Sequence, residues 1–223
     1  AAPAPRKSRP PEKTPTMDLD LYKVTFSSCG GRLSHFTLKN ERFQRKRGGV
    51  LVPVDLASAS ERPGAEESNR YLNLGLSMEF IGGDRSVIAE LDKEEPYKVG
   101  EVGKQDAAFR WESPEGFAVE RHYHFDPQSY LFEMNVVVKN PKEEDIKVRS
   151  AVTVTGWQPP ASRESGGFFS GIPNLLESAC YVNEEVFRTG YEGFEGEQKH
   201  LGKIHWAGLD ERYFLAAVVP EPF

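Results

Sequence analysis

Apolar and polar side chains alternate along much of the chain, and this period of two predicts β-strands. The longest such run covers residues 117–125, where one face carries Phe, Val, Arg, Tyr and Phe and the other carries Glu and two His. Similar runs follow at residues 130–138 and 146–154, after turns rich in Pro, Asn and Asp. Three consecutive runs joined by turns predict an antiparallel meander whose apolar face needs a second layer to cover it.

Shorter runs of the same kind precede the meander at residues 22–26, 33–38, 71–81 and 87–91. Ordered structure is predicted to begin at Met17, and a tight turn at Gly30-Gly31 is predicted to join the first two of these runs. Residues 40–49 are polar and basic and are interpreted as a solvated loop. The run at 50–56 is predicted to be an edge strand, because it contains a proline.

The closing stretch, residues 203–220, combines an alternating strand around a tryptophan with a nearly continuous apolar run at 213–219. The apolar run predicts a buried strand, and the polar residues 210–212 before it predict one short helical turn. A bulky Trp, a Tyr-Phe pair and a closing Pro, in that order, predict a segment that anchors the middle of a sheet. The predicted structural core positions are Trp206, Tyr213, Phe214, Gly30 and Gly31.

Residues 1–16 differ from the rest of the chain in composition. They hold five Pro and four Lys or Arg, and almost nothing apolar larger than Ala. This composition predicts an extended linker that cannot bury a core, although its charge could also favour an anionic lipid surface. The predicted organisation is therefore a tether at 1–16 followed by a single β-sandwich domain at 17–223, a size that one all-β domain can reach.

The overall charge argues against one large class of partner. The chain has a formal net charge of −6, and its basic residues do not form the dense clusters that replace counterions on nucleic acids. The charge pattern therefore argues against a role in binding nucleic acid. No apolar run has the length of a transmembrane helix.

Cysteine is sparse, with only Cys29 and Cys180 in 223 residues. Two cysteines are too few for a disulfide scaffold, and their spacing is unlike that of a zinc site. They could pair in an oxidising compartment or remain buried thiols, and the sequence leaves both alternatives open.

The best candidate for chemistry is the polar face of the run at 117–125. Glu120, His122 and His124 alternate there, so all three point to one side of a strand, a geometry that can bind zinc. The alternative is that they form the wet face of a half-exposed strand. No nucleophile elbow, zincin motif or phosphate-binding glycine loop is present. We therefore predict no catalytic residue, no metal and no cofactor.

Two stretches carry a resemblance to a known family. The first, YKVTFSSCGGRL at residues 22–33, resembles the opening strand, double-glycine turn and second strand of the large periplasmic domain of the YidC insertase family. The second, GKIHWAGLDERYFLAAVVP at 202–220, resembles the Trp-containing strand, Tyr-Phe pair and closing proline of the same domain. The basic tether occupies the position that follows the first transmembrane helix in that family.

The resemblance implies an all-β fold, an antiparallel β-supersandwich of the galactose-mutarotase type with little helix. It also implies a non-enzymatic domain on the periplasmic side of the bacterial inner membrane, whose full-length parent is a multi-pass membrane protein. The implied partners are Sec translocon accessory subunits of the SecDF type and membrane protein substrates. Since the family domain continues beyond the position of Pro220, the sandwich is expected to lack edge strands.

Two other functions remain as alternatives. A sugar-active enzyme of the mutarotase type would need a histidine acid and a glutamate base that converge in a cleft. A carbohydrate- or peptide-binding module would use Trp111, Trp157 or Trp206 as stacking platforms, or an open sheet edge to add a peptide strand.

Overall fold

Sixteen β-strands and no helix make up the regular structure of the residues that the computed structural model describes, which are 10–47, 49–57, 74–156, 176–190, 196–210 and 213–221. The strands are β1 (Thr16–Asp18), β2 (Tyr22–Ser27), β3 (Arg32–Leu38), β4 (Gln44–Arg47), β5 (Val50–Pro53), β6 (Gly75–Ile81), β7 (Val87–Leu91), β8 (Lys98–Val102), β9 (Asp106–Glu112), β10 (Ala118–Phe125), β11 (Phe132–Lys139), β12 (Lys147–Thr153), β13 (Glu177–Val182), β14 (Glu185–Gly190), β15 (Ile204–Asp210) and β16 (Leu215–Val218). Every pairing between these strands is antiparallel, which confirms the predicted all-β class. No helix in the described residues has the length and hydropathy of a membrane span.

The chain divides into two compact units. The single domain predicted from residue 17 onward stays a prediction. Of the described residues, those up to 57 and those at 74–153 form unit 1, and those from 154 onward form unit 2. Unit 1 contains β1 to β12, and unit 2 contains β13 to β16.

Unit 1 is a sandwich. One layer is the four-stranded sheet β11-β10-β9-β8, and sheets of order β1-β2-β3 and β12-β6-β7 pack against it. Phe26 of β2 contacts Phe109 and Tyr123 of the four-stranded sheet, both with ring centroids 5.2 Å apart. Phe80 of β6 contacts Phe117 at 4.9 Å. Rings of this size bury about 150–250 Å² each, so these contacts supply much of the force that joins the layers.

The alternation predicted for residues 117–125 sets the inner face of this layer. Val119, Tyr123 and Phe125 of β10 are at most 1% exposed, whereas His122 and His124 between them are exposed. Strand β10 therefore has one solvent-exposed face and one apolar face that packs on the core.

The predicted meander is correct for two of its three strands. Strand β10 pairs with β11 along its full length, but β12 pairs with β6, in register from Lys147 opposite Ile81 to Thr153 opposite Gly75. The prediction that β12 continues the same sheet is wrong. Seven residues separate β11 from β12, which is longer than a tight hairpin turn and lets the chain cross to another sheet.

Two segments near the start of the chain are more ordered than predicted. Within the tether, Lys13 and Pro15 accept backbone hydrogen bonds from Ser28 and Phe26 at 2.8 and 2.9 Å. Residues 10–15 therefore line the edge of β2 rather than hanging free, while residues 1–9 lie outside the described part. The basic stretch predicted as a loop contains β4, whose residues pair with β5.

Unit 2 is a four-stranded sheet of order β14-β13-β15-β16. The apolar run at 213–219, predicted as a buried strand, is exposed instead: Tyr213 is 75%, Leu215 54% and Val219 70% exposed. The reason is position, because β16 is an edge strand of this sheet and, among the described strands, pairs with β15 alone. The predicted helical turn is wrong at Asp210, which is the last residue of β15, and residues 211–212 lie outside the described part.

Candidate functional site

The double-glycine turn between β2 and β3 is the most constrained point of unit 1. Gly30 and Gly31 are buried and have φ angles of +78° and +57°, in the left-handed region that favours glycine. A Cβ atom on Gly30 would lie 2.2 Å from the carbonyl oxygen of Lys93, far closer than two such atoms can approach. The turn therefore requires glycine for its conformation and, at residue 30, for space.

Two side chains of β10 donate hydrogen bonds to this turn. The Arg121 guanidinium donates from Nη1 to the carbonyl oxygen of Gly30 and from Nη2 to that of Leu74, both at 2.6 Å. The Tyr123 hydroxyl donates to the carbonyl oxygen of Gly31 at 2.7 Å. Arg121 is 0% exposed, so at Nη1 and Nη2 these bonds take the place of hydrogen bonds to water.

A second arginine completes the network. Arg32, which is 1% exposed, donates from Nε to the carbonyl oxygen of Cys29 at 3.1 Å. Burial lowers the pKa of Arg32, and the neighbouring Arg121 lowers it further, whereas Cys29 and Glu94 raise it. Two guanidinium groups thus share the interior beside the turn, where backbone carbonyls of Cys29, Gly30 and Leu74 accept hydrogen bonds from them.

Tyr97 closes the network on the side of β8. Its hydroxyl lies next to the Arg121 guanidinium, yet Tyr97 Oη and Arg121 Nε have no hydrogen-bond partner among the described residues. Burial raises the pKa of Tyr97, which keeps its hydroxyl protonated. These four residues, Arg32, Tyr97, Arg121 and Tyr123, are called the turn network below. Their contacts stabilise the conformation of the double-glycine turn.

The sequence pattern places Arg121 on the apolar face of its strand, but it does not show that Arg121 binds the double-glycine turn. A charged residue between Val119 and Tyr123 on a face that must be buried is the signal that identifies it. Arg32 carries no comparable signal, because it follows directly after the turn.

The candidate metal ligands lie on the opposite, wet face of β10. Glu120 forms ion pairs with Arg110 and with Lys139, the latter at 2.7 Å, and lies 3.5 Å from His122. Hydrogen bonds from Lys139 and then Arg110 lower the pKa of Glu120 to about 2. His124 pairs instead with Asp106 at 2.7 Å. Within the described residues, no three His, Cys, Asp or Glu side chains are arranged to hold a metal ion.

A second histidine–carboxylate pair ties the chain after β5 to the edge of β3. His35 Nδ1 lies 2.6 Å from Asp55 Oδ2, and Asp55 Oδ1 accepts backbone hydrogen bonds from Phe36 and Ala57 at 2.9 and 3.1 Å. The hydrogen bond with Asp55 raises the pKa of His35 above its usual value, against the opposing effect of burial.

This pair predicts a pH dependence of stability. Because the pKa of His35 is raised in the folded state, its stabilising effect is complete below the unfolded pKa and is lost as pH rises through the folded pKa. The His35→Gln variant should therefore lose less stability than the parent chain between pH 6 and pH 9, as measured by urea unfolding. His124→Gln is the matched control with a smaller expected effect, since that pair is more exposed, at 54% and 73% against 43% and 19%. Equal pH dependence in parent and His35→Gln would contradict the assignment.

The candidate stacking tryptophans differ in their environments. Trp111 is 7% exposed and packs on Phe80 in the core of unit 1. Trp206 is half-buried in unit 2, opposite Tyr181 of β13. Trp157 lies outside the described residues.

The five predicted core positions have different environments. Gly30 and Gly31 are buried in unit 1, whereas Trp206 and Phe214 are half-buried in unit 2. Tyr213, predicted in the core, is 75% exposed beside the edge strand β16, so that prediction is wrong.

The pairing of Cys29 with Cys180, which the sequence leaves open, stays a prediction. Cys29 and Cys180 are both thiols in the described part, one in each unit. Cys29 Sγ lies 3.2 Å from the carbonyl oxygen of Glu94, and Cys180 sits in β13 between Phe187 and Ala207 of the adjoining strands. Each thiol is thus part of its own local packing.

Two clefts open on the surface of unit 1. One of about 310 Å³ is lined by Pro10, Pro11, Lys13, Ser28, Pro96, Tyr97, Lys98 and Val99. The other, of about 530 Å³, is lined by residues of 16–20, 103–105 and Pro127. Neither lining contains a histidine, so neither of these clefts has the acid–base pair of a mutarotase-type site.

Comparison with known proteins identifies the family. A sequence profile of the YidC periplasmic domain matches residues 15–222. A membrane protein insertase YidC from Anaeromyxobacter sp. (strain Fw109-5) is 28% identical over 212 residues, which are 94% of this chain and 37% of that protein. One from Geobacter sulfurreducens is 26% identical over 202 residues, 91% of this chain and 35% of that protein. The chain thus spans little more than a third of these relatives. Because the profile covers nearly the whole sequence, the chain belongs to the YidC periplasmic domain family.

Proposed function

We propose that this chain is a non-enzymatic contact domain of a membrane protein insertase, on the periplasmic side of the bacterial inner membrane. It offers a surface to Sec translocon accessory subunits of the SecDF type or to segments of membrane protein substrates. The observation that carries this proposal is the family match over residues 15–222, together with relatives that are named membrane protein insertases.

The turn network supports a structural role for the polar interior of unit 1. Arg121 and Tyr123 direct their donors at backbone carbonyls of the turn and of Leu74, where a substrate cannot reach them. On the wet face, a carboxylate with its pKa lowered to about 2, as in Glu120, is too weak a base for proton abstraction near neutral pH. These features favour a domain that acts by contact.

Open sheet edges with apolar side chains supply a candidate contact surface. In unit 1, β12 is an edge strand on which Val148 and Val152 are 41% and 40% exposed. In unit 2, the edge strands β14 and β16 carry Val186 and Leu215, which are 52% and 54% exposed. Edges of this kind can add a strand from another chain, and exposed aliphatic side chains favour binding in a dry interface.

A pull-down from detergent-solubilised bacterial membranes tests the proposal. The immobilised chain should retain SecDF-type subunits, and the double variant Val148→Asp with Val152→Asp should retain at least about fivefold less, because charge is excluded from an apolar contact. A matched control, Leu131→Asp with Leu201→Asp, changes two exposed aliphatic residues outside the strands and should leave retention at the level of the parent chain. Recovery of no translocase subunit by the parent chain would contradict the contact role.

A further inference from the structure

The hairpin formed by β4 and β5 is a basic element of an acidic chain. Residues 41–53 contain four Lys or Arg and one Glu, whereas the whole chain has a net charge of −6. The register pairs Lys46 with Leu51 and Arg47 with Val50, so basic positions on one strand lie opposite aliphatic positions on the other. Charge and apolar character are thus combined at one end of a short two-stranded ribbon.

The base of this hairpin is fixed in unit 1. Val54, directly after β5, is 4% exposed, donates its backbone N–H to the carbonyl of Phe43 at 3.0 Å and accepts one from Leu38 at 2.9 Å. The Phe43 ring meets the Tyr130 ring edge-on with centroids 6.1 Å apart. The base of the hairpin is therefore anchored in unit 1.

Two residues at the start of β5 are exposed. Val50 is 64% and Leu51 63% exposed, in contrast to the buried Val54 three residues later. Aliphatic side chains so exposed contribute little to folding, since they remain largely in contact with water. The four residues of β5 span about 13 Å.

We propose that the β4–β5 hairpin binds the anionic surface of a lipid bilayer. Its cations are attracted by acidic headgroups, and Val50 and Leu51 enter the interface between headgroups and acyl chains. A basic segment flanked by exposed aliphatic residues has the chemistry of a membrane-surface element. A nucleic acid or an acidic protein would use the charges alone and leave the aliphatic pair without a role. This inference stands independently of any contact with translocase subunits.

Vesicle flotation of the complete chain tests the proposal. The parent chain should bind vesicles of phosphatidylethanolamine with phosphatidylglycerol, should bind pure phosphatidylcholine weakly, and should lose affinity as salt is raised. The charge variant Arg45→Gln, Lys46→Gln, Arg47→Gln should bind the anionic vesicles at least about tenfold less. The aliphatic variant Val50→Ser, Leu51→Ser should also bind less, with its charge intact.

Two controls separate the hairpin from other sources of binding. The tether variant Arg6→Gln, Lys7→Gln, Arg9→Gln removes the same number of charges elsewhere and should keep most of the affinity. Heparin binding distinguishes a plain polyanion site, because the aliphatic variant should bind heparin as the parent does while losing vesicle affinity. The proposal is overturned if the aliphatic variant binds vesicles as tightly as the parent, or if the tether variant alone abolishes binding. Near-ultraviolet circular dichroism of each variant confirms an unchanged fold.

Discussion

Replacing Arg121 by alanine should lower the free energy of unfolding by about 3–5 kcal/mol, because it leaves a cavity and two buried acceptors without donors. The acceptors are the carbonyl oxygens of Gly30 and Leu74, each held at 2.6 Å by a side chain that is 0% exposed. Urea unfolding followed by the fluorescence of Trp111, which is buried in the same unit, measures the loss.

Arg149→Ala is the matched control for this prediction. Arg149 lies on the surface of unit 1, where its side chain is 74% exposed and pairs with Glu79. Its removal should change stability by less than about 0.5 kcal/mol. If Arg121→Ala and Arg149→Ala prove equally mild, the turn network does not hold unit 1 together.

Replacing Gly30 by alanine should cost about 3 kcal/mol or more, from a left-handed backbone and a steric overlap acting together. The φ of +78° disfavours any side chain, and the new Cβ would lie 2.2 Å from the carbonyl oxygen of Lys93 and 2.6 Å from Arg32 Nε. The backbone carbonyl has little freedom to move, so the turn itself must shift. Thermal and urea unfolding both measure this loss.

Gly49→Ala separates the two contributions. Gly49 has a φ of +87°, yet its added Cβ would meet nothing within 4 Å among the described residues. This variant should therefore show the backbone cost alone, about 1 kcal/mol. Equal losses at residues 30 and 49 would mean that the close packing around Gly30 does not matter for stability.

Local patterns predicted much of unit 1 because they reflect local physics. Alternation identified β10 and β11, and the Gly-Gly pair identified the turn between β2 and β3. The choice of partner strand is not local: β12 has the same alternation whether it pairs with β11 or, as it does, with β6. Strand β4 was missed because its four residues are all polar, so that no period of two is visible.

Burial was the least predictable property, since it depends on what covers a segment. The apolar run at 213–219 would suit a central strand, but β16 is an edge strand and Tyr213 is 75% exposed. The converse holds for Arg121, a polar residue that is fully buried because two carbonyls accept its donors. The turn network could thus be anticipated only in part, from the one cation on an apolar face.

We expect the chain to act by surface contact along its open sheet edges. Photo-crosslinking in the full-length insertase, in intact bacterial membranes, tests it most directly, with the crosslinker at Val148 on β12, at Leu215 on β16, or at His122 on the wet face of β10. The account predicts crosslinks to Sec accessory subunits or membrane protein substrates from the two edge positions and few from residue 122. Absence of crosslinks at both edges, or equal yields at all three positions, would contradict it.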